Sequence, residues 1–396
     1  MKRLRHLLLL LLALVLAACP AKAQERAQAL ENPAEDFVRV SVVFAEPGRE
    51  VSSVYGHAML RLECPDSKLD YIFSQENSTD SLFSFISGKT TVDTRAVPTQ
   101  EYLQTYRDEK RSVYAYELNL PIRIKQRLWQ QMDWRLEQPG EIYSPIHNSC
   151  TVSVMQWLVD AVDADSLEFA AWPELYNKST RDLGGTYLKN RWVHLLCSIL
   201  VPGTFVDKEE SPTRKVLLPA ELLRVLQNCK AYGKPLLSGK RQTLLSYPPQ
   251  NIDYGDPASL GYWVKQPEFP ATIILLFSLS GLLLDLLRRK KAHKARSPLV
   301  WTLITPALIV QTLSGGFVIY LLLFSDLPDT DWNWLVIPFN VLPLLLWRWR
   351  EKWAVPFAAV CVLWCLAVTI PKYGMVDPTS LILALSSAAA FLPLRK

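Results

Sequence analysis

The chain has 396 residues, of which 49% are hydrophobic and only 20% are charged, and its formal net charge is +5. This charge is divided unevenly, because residues 1–23 carry +4, residues 24–268 carry −5 and residues 269–396 carry +6. The basic character therefore belongs to the two apolar ends, which excludes a basic nucleic-acid-binding domain between them. With 15 glycines and 11% aromatic residues, collagen-like, coiled-coil and disordered classes are excluded as well.

The first 23 residues are typical of an export signal. A short basic stretch precedes an apolar run over 7–16, and small residues follow. Two cleavage sites compete: Leu-Ala-Ala-Cys, ending at Cys19, matches a lipoprotein box, whereas Ala-Lys-Ala, ending at Ala23, suits ordinary signal peptidase. An uncleaved anchor is the third alternative. All three predict that the chain from residue 24 onward lies outside the cytoplasm.

Residues 24–246 carry mixed strand and helix patterns, which predict an α+β periplasmic domain. The predicted strands are 37–45, 57–63, 70–74 and 112–120. The predicted helices are 98–108, 122–138, 167–200 with interruptions at Pro173 and Gly184-Gly185, and 219–230, and a short hairpin is expected at 235–246. Residues 247–268 are rich in Pro, Tyr, Asp and Gly, which is typical of a linker.

The C-terminal part, 269–396, predicts an all-α transmembrane bundle. Apolar runs approach the ~20 residues needed to cross a bilayer at 269–287, 299–324, 332–347, 353–370 and 379–394. Basic residues cluster at 288–296, 348–352 and 395–396, and acidic residues lie in the opposite loops. By the positive-inside rule, we expect about five helices in the bacterial inner membrane and a cytoplasmic C-terminus.

Few side chains in the exported part could perform chemistry. They are His57, His147, His194, Cys64, Cys150, Cys197 and Cys229. The sequence contains neither Cys-x-x-Cys nor His-Glu-x-x-His, so we expect no metal site, and no glycine-rich loop suggests another cofactor. A Gly-x-Ser-x-Gly elbow is also missing, which argues against a serine hydrolase of that type.

Cys150 is the strongest candidate nucleophile. It lies at the opening turn of a predicted helix, where the positive end of the helix dipole lowers a thiol pKa and backbone N–H groups can stabilise an oxyanion. Two plainer interpretations remain open. Cys150 can be a small buried residue at a helix start, or one half of a disulfide.

His57 is the preferred base, because it heads a predicted strand directly after Gly56, whose lack of a side chain allows close approach. His147 is a rival base, and either imidazole could instead be structural. Pairing of 57–63 with 70–75, with Glu63 opposite Asp70, places the residues near 75–77 across from His57. Among these we choose Gln75 as the residue that orients the imidazole, although a register slip of one residue would exchange the faces.

The order of short motifs resembles one family. The motifs are Tyr55-Gly56-His57, Asp70-Tyr71, Gly88-Lys89, Tyr106, Arg111-Ser112-Val113, Leu118-Asn119-Leu120, Asn148, Cys150-Thr151, Leu200-Val201-Pro202-Gly203, Asp207 and Leu218-Pro219. Over about 38–245 this order is similar to the DUF4105 family, also called the Lnb N-terminal periplasmic domain. Members of that family commonly end in membrane helices, as this chain is expected to do.

The resemblance implies a fold and a site. Gly-His followed later by Asn-Cys resembles circularly permuted papain-like folds, as in permuted NlpC/P60 and lecithin retinol acyltransferase-like enzymes, which cleave amides or move acyl groups through a thioester. Carried over by position, Cys150 is the nucleophile and His57 the base. The chain differs from the family pattern by having Ser149 between Asn148 and Cys150.

These observations support a membrane-anchored periplasmic thiol hydrolase or acyltransferase. Its expected partners are inner-membrane lipids and an envelope amide or ester, such as a peptidoglycan peptide or a lipid acyl chain. The alternative is a non-catalytic envelope accessory or assembly protein that binds through the same cleft. A transporter is the weakest hypothesis, because polar residues in the spans are few. A Cys197–Cys229 disulfide fits the exported location, whereas a Cys64–Cys150 disulfide would exclude the enzyme.

Overall fold

The computed structural model describes residues 38–48, 53–79, 81–163, 166–169, 179–187, 190–203, 206, 216–248, 258–290, 297–328, 330–345, 347–370 and 377–394. The predicted export signal with its Cys19, the motif residue Asp207, the interruption at Pro173 and 249–257 of the predicted linker lie outside these residues.

Most strands of the described residues join one antiparallel sheet. The strands are β1 (Arg39–Ala45), β2 (His57–Cys64), β3 (Leu69–Asn77), β4 (Thr91–Pro98), β5 (Val113–Leu118), β6 (Glu141–Ile142), β7 (Leu167–Phe169), β8 (Cys229–Ala231), β9 (Lys234–Pro235) and β10 (Leu237–Leu245). Seven of them pair in the order β10-β5-β1-β2-β3-β4-β6, and β7, β8 and β9 form a second, small sheet. Strand β2 lies in the middle of the large sheet, and residues 58–62 are buried, so side chains on both of its faces are covered.

The helices of this first part are α1 (Leu82–Ile86), α2 (Thr99–Asp108), α3 (Ile122–Leu136), α4 (Cys150–Ala161), α5 (Thr180–Tyr187), α6 (Arg191–His194) and α7 (Pro219–Gln227). Helix α6 continues as a π-helical turn over Leu195–Leu200. The later helices are α8 (Leu260–Val264), α9 (Glu268–Lys290), α10 (Pro298–Phe324), α11 (Leu342–Leu345), α12 (Arg350–Val368) and α13 (Pro378–Phe391). The architecture is therefore an α+β domain followed by a helical unit, as the sequence predicts.

The alternation of β2 decides which helices cover the sheet. Leu60 and Leu62 point to one face, where they pack with Trp157 of α4 in the larger core. Met59 points to the other face and packs with Leu103 of α2. Successive strand residues face opposite sides. Helices α3 and α4 therefore cover one face of the sheet, and α2 covers the other. This arrangement places the first turn of α4 above the first residues of β2.

Three later helices are long and apolar enough to cross a membrane. They are Glu268–Lys290, Pro298–Phe324 and Trp347–Val368, judged by length and composition. Three of the five predicted spans thus have matching helices, while α13 is shorter. The predicted span 332–347 is not a single helix, because it forms a 3₁₀ turn over Trp334–Val336 and the short α11. Pro338 and Pro343 each lack a backbone N–H, which disfavours a continuous helix there.

The α+β domain departs from the sequence prediction over 167–200, at the end of the predicted helix 219–230, where Cys229–Ala231 forms β8, and over 235–246. Residues 167–200 do not begin as helix, since Leu167–Phe169 forms β7 against β8, and α5 runs through Gly184-Gly185 without interruption. Residues 235–246 do not form a hairpin on themselves, because β10 pairs with β5. Strands β7 and β10 have the same cause: the strands with which they pair lie far away along the chain, where local patterns carry no information about them.

The α+β domain contacts the helical unit through α1. The hydroxyl of Ser325, just after α10, donates to the carbonyl of Ile86 at 2.5 Å, and the N–H of Asp326 donates to the carbonyl of Ser87 at 3.2 Å. The hydroxyls of Ser87 and Tyr320 lie 2.9 Å apart. The end of α10 is thus hydrogen-bonded to the residues at the end of α1.

Residues 191–203 make a second contact with the helical unit. The Arg191 guanidinium pairs with Glu268 of α9 at 2.5 Å and with Asp377, beside α13, at 3.1 Å. The side-chain amide of Asn333 donates to the carbonyl of Leu200 at 2.9 Å. The α+β domain therefore contacts the ends of α9, α10 and α13.

Candidate functional site

His57 and Cys150 are brought together by the start of β2 and the start of α4. Gly56, just before His57, has φ of +85°, and a Cβ there would lie 2.6 Å from the carbonyl oxygen of Ala45. Only glycine suits this turn. Cys150 is the first residue of α4, and Ser149 before it has the extended backbone of an N-cap residue. As a result, the imidazole of His57 lies close to the thiol of Cys150, and each group shifts the pKa of the other.

The surroundings of Cys150 favour its thiolate. Burial raises the pKa of the thiol, but the His57 charge and hydrogen bond, together with backbone N–H groups of Ala58 and Thr151, hold the pKa below its usual value. Each of these groups donates to or attracts the negative sulfur. The net effect is a thiol poised to ionise, with N–H donors of β2 and α4 directed at the sulfur.

The pKa of His57 shifts in the complementary direction. Burial and the positive charge of Arg111 lower this pKa. The nearby Cys150 and the negative charge of Glu76 raise it by more, so the pKa of His57 lies above its usual value. The Nε2 atom of His57 is buried and has no hydrogen-bond partner among the described residues. Together the two shifts favour a thiolate–imidazolium pair.

The strand register places Glu76, not Gln75, across from His57. Strands β2 and β3 pair with Glu63 opposite Asp70 and Leu60 opposite Phe73. Continuing this register places His57 opposite Glu76. Glu76 accepts hydrogen bonds from the hydroxyls of Ser74 and Tyr102, each at 2.5 Å.

Gln75, the residue chosen from the sequence, lies on β3 beside these groups. It pairs with Thr94 of β4, and its side-chain amide lies 3.4 Å from the Thr94 hydroxyl. Successive strand residues face opposite sides, so Gln75 and Glu76 cannot both face the His57 side of the sheet. The carboxylate that acts on the imidazole is that of Glu76.

Several residues near the thiol were not singled out by sequence reasoning. The guanidinium carbon of Arg111 lies 4.9 Å from the centroid of the Tyr106 ring, and the Nη2 of Arg111 is buried without a hydrogen-bond partner among the described residues. Burial raises the pKa of Tyr143, with further contributions from Cys150 and Cys197. No local sequence pattern points to Tyr143. Arg111 belongs to one of the family motifs, but the motif alone assigns it no function.

The loop before α4 is held by Asn148 and Ser149. The side chain of Asn148 accepts from the N–H of Ser144 at 2.6 Å and donates to the carbonyl of Ile142 at 2.8 Å. Ser149 Oγ lies 3.1 Å from the hydroxyl of Thr151. Ser149, the extra residue relative to the family pattern, thus occupies the N-cap position and leaves Cys150 in the first helical turn.

The rival base His147 is exposed, and it is not among the groups that shift the pKa of Cys150. Its backbone N–H donates to the Ser144 hydroxyl at 3.1 Å. The structure therefore places His57, and not His147, against the thiol.

All six cysteines among the described residues are free thiols. The expected Cys197–Cys229 disulfide is therefore not formed, because Cys229 lies in the core beneath α4 while Cys197 lies in the turn that packs on the helical unit. The Cys64–Cys150 disulfide that would exclude an enzyme is not formed either. Burial raises the pKa of Cys197, and burial with the charge of Glu168 raises that of Cys229 to about 12, opposite to the shift at Cys150.

The site lies on the side of the α+β domain that contacts the helical unit. The ring of Tyr143 is 5.9 Å from the ring of Phe85 in α1, measured between centroids. Leu195 and Ile199, on either side of Cys197, pack with Val318 of α10 in a shared cluster. Among the described residues, no group of three His, Cys, Asp or Glu side chains is placed to hold a metal ion.

A comparison with protein families bears on the resemblance given by the motif order. Residues 25–178 match the Lnb N-terminal periplasmic domain. The match includes both His57 and Cys150 and confirms the resemblance for that segment. No curated protein and no solved structure matches the chain. The match to a periplasmic domain and the three candidate spans together indicate a membrane protein with a periplasmic segment.

Proposed function

We propose that this protein is a membrane-anchored periplasmic thiol acyltransferase or hydrolase that acts on an envelope ester or amide. The observation that carries the proposal is the neighbouring Cys150–His57 pair, at the starts of α4 and β2, with the pKa of Cys150 lowered and that of His57 raised. A buried structural cysteine has no need of a neighbouring imidazole, and Cys197 and Cys229 show the opposite shift. Nucleophilic catalysis by a thiol requires such an adjacent base.

The chemistry proceeds in two steps. The Cys150 thiolate attacks the carbonyl carbon, and the C–S bond forms while the oxyanion develops near the positive end of α4. The C–O or C–N bond then breaks, and the leaving alcohol or amine takes the proton held by His57. In the second step, water or an acceptor amine attacks the thioester, His57 accepts its proton, and Cys150 leaves as thiolate.

The arrangement of the two residues supports a circularly permuted papain-like fold. His57 heads a strand of an antiparallel sheet, and Cys150 opens a helix that packs on that strand. The histidine precedes the cysteine in the chain, which is the order expected of the permuted form. The same chemistry recurs on different folds, so the functional argument depends on the site rather than on this likeness.

The position of the site favours a substrate held in the membrane. Phe85 contacts both Tyr143 beside the thiol and the cluster formed with Leu321 and Leu327 at the end of α10. A lipid acyl ester reaches this position from the bilayer, whereas a peptidoglycan peptide must approach from the periplasm. We therefore favour a lipid acyl group among the envelope substrates.

Trapping of the thioester tests this function. The full-length protein is reconstituted in vesicles that contain phospholipid with an alkyne-tagged acyl chain. We expect a hydroxylamine-sensitive label on the native protein that is lost in Cys150→Ala and kept in the matched variant Cys197→Ala. A label that survives in Cys150→Ala would contradict the proposal, and no label with either ester or amide donors would favour the non-catalytic accessory.

A further proposal concerns topology: the chain crosses the inner membrane five times, and the third crossing is interrupted. Residues 333–347 begin at Asn333, whose amide contacts the carbonyl of Leu200 in the α+β domain. They end at Trp347, whose ring lies 6.0 Å from that of Trp301 at the opposite end of α10. This segment therefore accompanies α10 along most of its length.

The middle of this segment is buried against α10. Gly315 of α10 allows the close approach, since a Cβ there would lie 2.6 Å from the Cα of Asn340. The amide of Gln311 donates to the Asn340 carbonyl at 3.3 Å, and the Asn340 side chain accepts from the N–H of Leu342 at 3.0 Å. Irregular backbone is tolerated at membrane depth where protein covers it and supplies hydrogen bonds.

The last two crossings complete the path. The ring of Trp364, near the end of α12, packs on that of Phe339, with 6.5 Å between the two centroids. Asp377, at the start of α13, forms an ion pair with Arg191 of the α+β domain. At the other end of α13, the carbonyl of Pro393 accepts from Arg289 at 3.3 Å. Arg289 belongs to the basic cluster that we expect on the cytoplasmic side.

Fusion reporters after Lys396 test this topology. Green fluorescent protein placed there is expected to fluoresce, and alkaline phosphatase placed there is expected to stay inactive, because the C-terminus is cytoplasmic. If the phosphatase fusion is active and the fluorescent-protein fusion does not fluoresce, the C-terminus is periplasmic and the model of five crossings is refuted.

A further inference from the structure

Helix α1 has one covered face and one exposed face. Phe85 and Ile86 pack in a cluster with Leu321 of α10 and with Leu327 just after it. Leu82 and Phe83, on the same helix, are 54% and 68% exposed. Large exposed apolar side chains that adjoin a membrane-spanning helix mark an interaction surface when further exposed apolar side chains accompany them.

The position of Phe83 is fixed by a stack of three aromatic rings. The Phe83 ring lies 6.4 Å from that of Tyr320, and Tyr320 lies 6.2 Å from Phe324, both in stacked arrangements. Tyr320 and Phe324 occupy the last turns of the candidate span α10, and Phe324 is itself largely exposed. Phe83 therefore lies at the level where α10 leaves the bilayer.

Other exposed apolar residues occupy the same level. Leu260 and Trp263 belong to α8, which leads directly into α9. The indole N–H of Trp192 donates to the carbonyl of Lys265 at 2.8 Å, next to the start of α9. Trp332 lies in the loop after α10 and is 74% exposed. All of them lie beside the ends of α9 and α10 that face the α+β domain.

We propose that these side chains form one lipid-contacting surface that seats the α+β domain in the headgroup region of the periplasmic leaflet. This interfacial surface consists of Leu82, Phe83, Trp192, Leu260, Trp263 and Trp332. It is continuous with the lipid-facing side of α10 through the Phe83–Tyr320–Phe324 stack. Tryptophan is enriched at membrane interfaces because its ring is apolar while its N–H still hydrogen-bonds.

The surface has a consequence for the domain as a whole. The α+β domain does not stand above the membrane on a linker but rests in the outer edge of the bilayer, with α1 as one of its contacts. The surface is defined by ring geometry and by side-chain exposure. It does not depend on whether Cys150 is a nucleophile, so its failure is distinguishable from failure of the proposed function.

Photo-crosslinking in the intact membrane tests the surface. p-Benzoylphenylalanine is introduced one position at a time in place of Phe83, Trp263 and Trp134. Trp134 is the matched control, because it is 57% exposed on α3, which packs against α4 and β4 of the same domain. After illumination, we expect phospholipid adducts at Phe83 and Trp263 at least about fivefold above those at Trp134. Equal adduct yields at the three positions would overturn the proposal.

A second measurement needs no substitution. The unmodified protein in vesicles that contain a diazirine-bearing phospholipid is illuminated and digested, and labelled peptides are mapped by mass spectrometry. Label is expected on the peptides that carry Leu82 with Phe83 and Leu260 with Trp263. Label confined to the candidate spans would contradict the interfacial surface even if the substituted variants failed to fold.

Discussion

Opposing electrostatic effects act on the thiol of Cys150. Burial raises its pKa, while the imidazole of His57 and the backbone N–H groups of Ala58 and Thr151 lower it by more. The same balance acts on His57, where Cys150 and Glu76 outweigh burial and Arg111. The reactive form therefore depends on a few named neighbours, each of which can be removed separately.

Glu76 is the neighbour whose removal is most informative. Glu76→Gln keeps the size and the capacity to accept from Tyr102 but removes the negative charge that stabilises the imidazolium, so the pKa of His57 should fall. Nuclear magnetic resonance of ¹³C-histidine in the purified protein measures this titration. Gln75→Ala is the control and should leave the His57 titration unchanged. An effect of Gln75→Ala with none of Glu76→Gln would restore Gln75 as the orienting residue.

The sequence indicates Cys150 and His57 but not the residue opposite His57. A cysteine at a predicted helix start and a histidine after glycine are local features, and both are visible in the printed chain. The choice between Gln75 and Glu76 depends on a register whose shift by one residue exchanges the two faces. Tyr143 reaches the thiol through tertiary packing, which no spacing in the sequence records.

At the scale of secondary structure, the segment 332–347 shows where apolar patterns mislead. Residues 332–347 are as apolar as a transmembrane helix, yet they form short helical turns around Asn340. Apolar composition reports burial in lipid or protein, not backbone conformation. Strand β10 has a similar explanation, since its partner β5 is distant in the chain. Helices with clear periodicity, such as α2 and α3, begin and end close to their predicted positions.

Gly315 and Gly316 offer a matched test of the interrupted segment. A Cβ on Gly315 would collide with the Asn340 backbone, whereas a Cβ on Gly316 has no neighbour within 4 Å. Gly315→Ala should therefore destabilise the protein by about 1–3 kcal/mol through overpacking. Gly316→Ala should be neutral or slightly stabilising, because alanine favours helix over glycine. Thermal unfolding in detergent measures both, and equal midpoints would contradict the close packing of residue 340 on α10.

For the whole molecule, the important feature is the attachment of the α+β domain to the helical unit. Arg191 pairs with both Glu268 and Asp377, and the Asp377 side chain is only 1% exposed. The carboxylate of Asp377 also accepts from the N–H of Ser380 at 2.8 Å, at the start of α13. One guanidinium thus joins α6, α9 and α13 at the face of the domain next to the site.

Arg191→Met should weaken this attachment. Removing the partner of a buried carboxylate leaves an uncompensated charge, so we expect a loss of stability of about 3 kcal/mol. Arg123→Met removes a solvent-exposed pair with Asp163 and should cost no more than about 1 kcal/mol. Thermal unfolding of the two variants in detergent compares them directly. Similar losses in both would show that the Arg191 cluster contributes little to the attachment.

Alkylation of the thiol as a function of pH tests most directly whether Cys150 and His57 form a reactive pair. In the native protein, iodoacetamide at pH 6 to 7 should modify Cys150 before Cys64, Cys197 and Cys229, since its thiolate is populated below the ~8.5 of a free thiol. His57→Ala removes the imidazolium, so the inflection should move to higher pH and alkylation in this range should slow, while His147→Ala should change little. A Cys150 that reacts only after unfolding, or with the same pH profile in His57→Ala as in the native protein, would contradict the account.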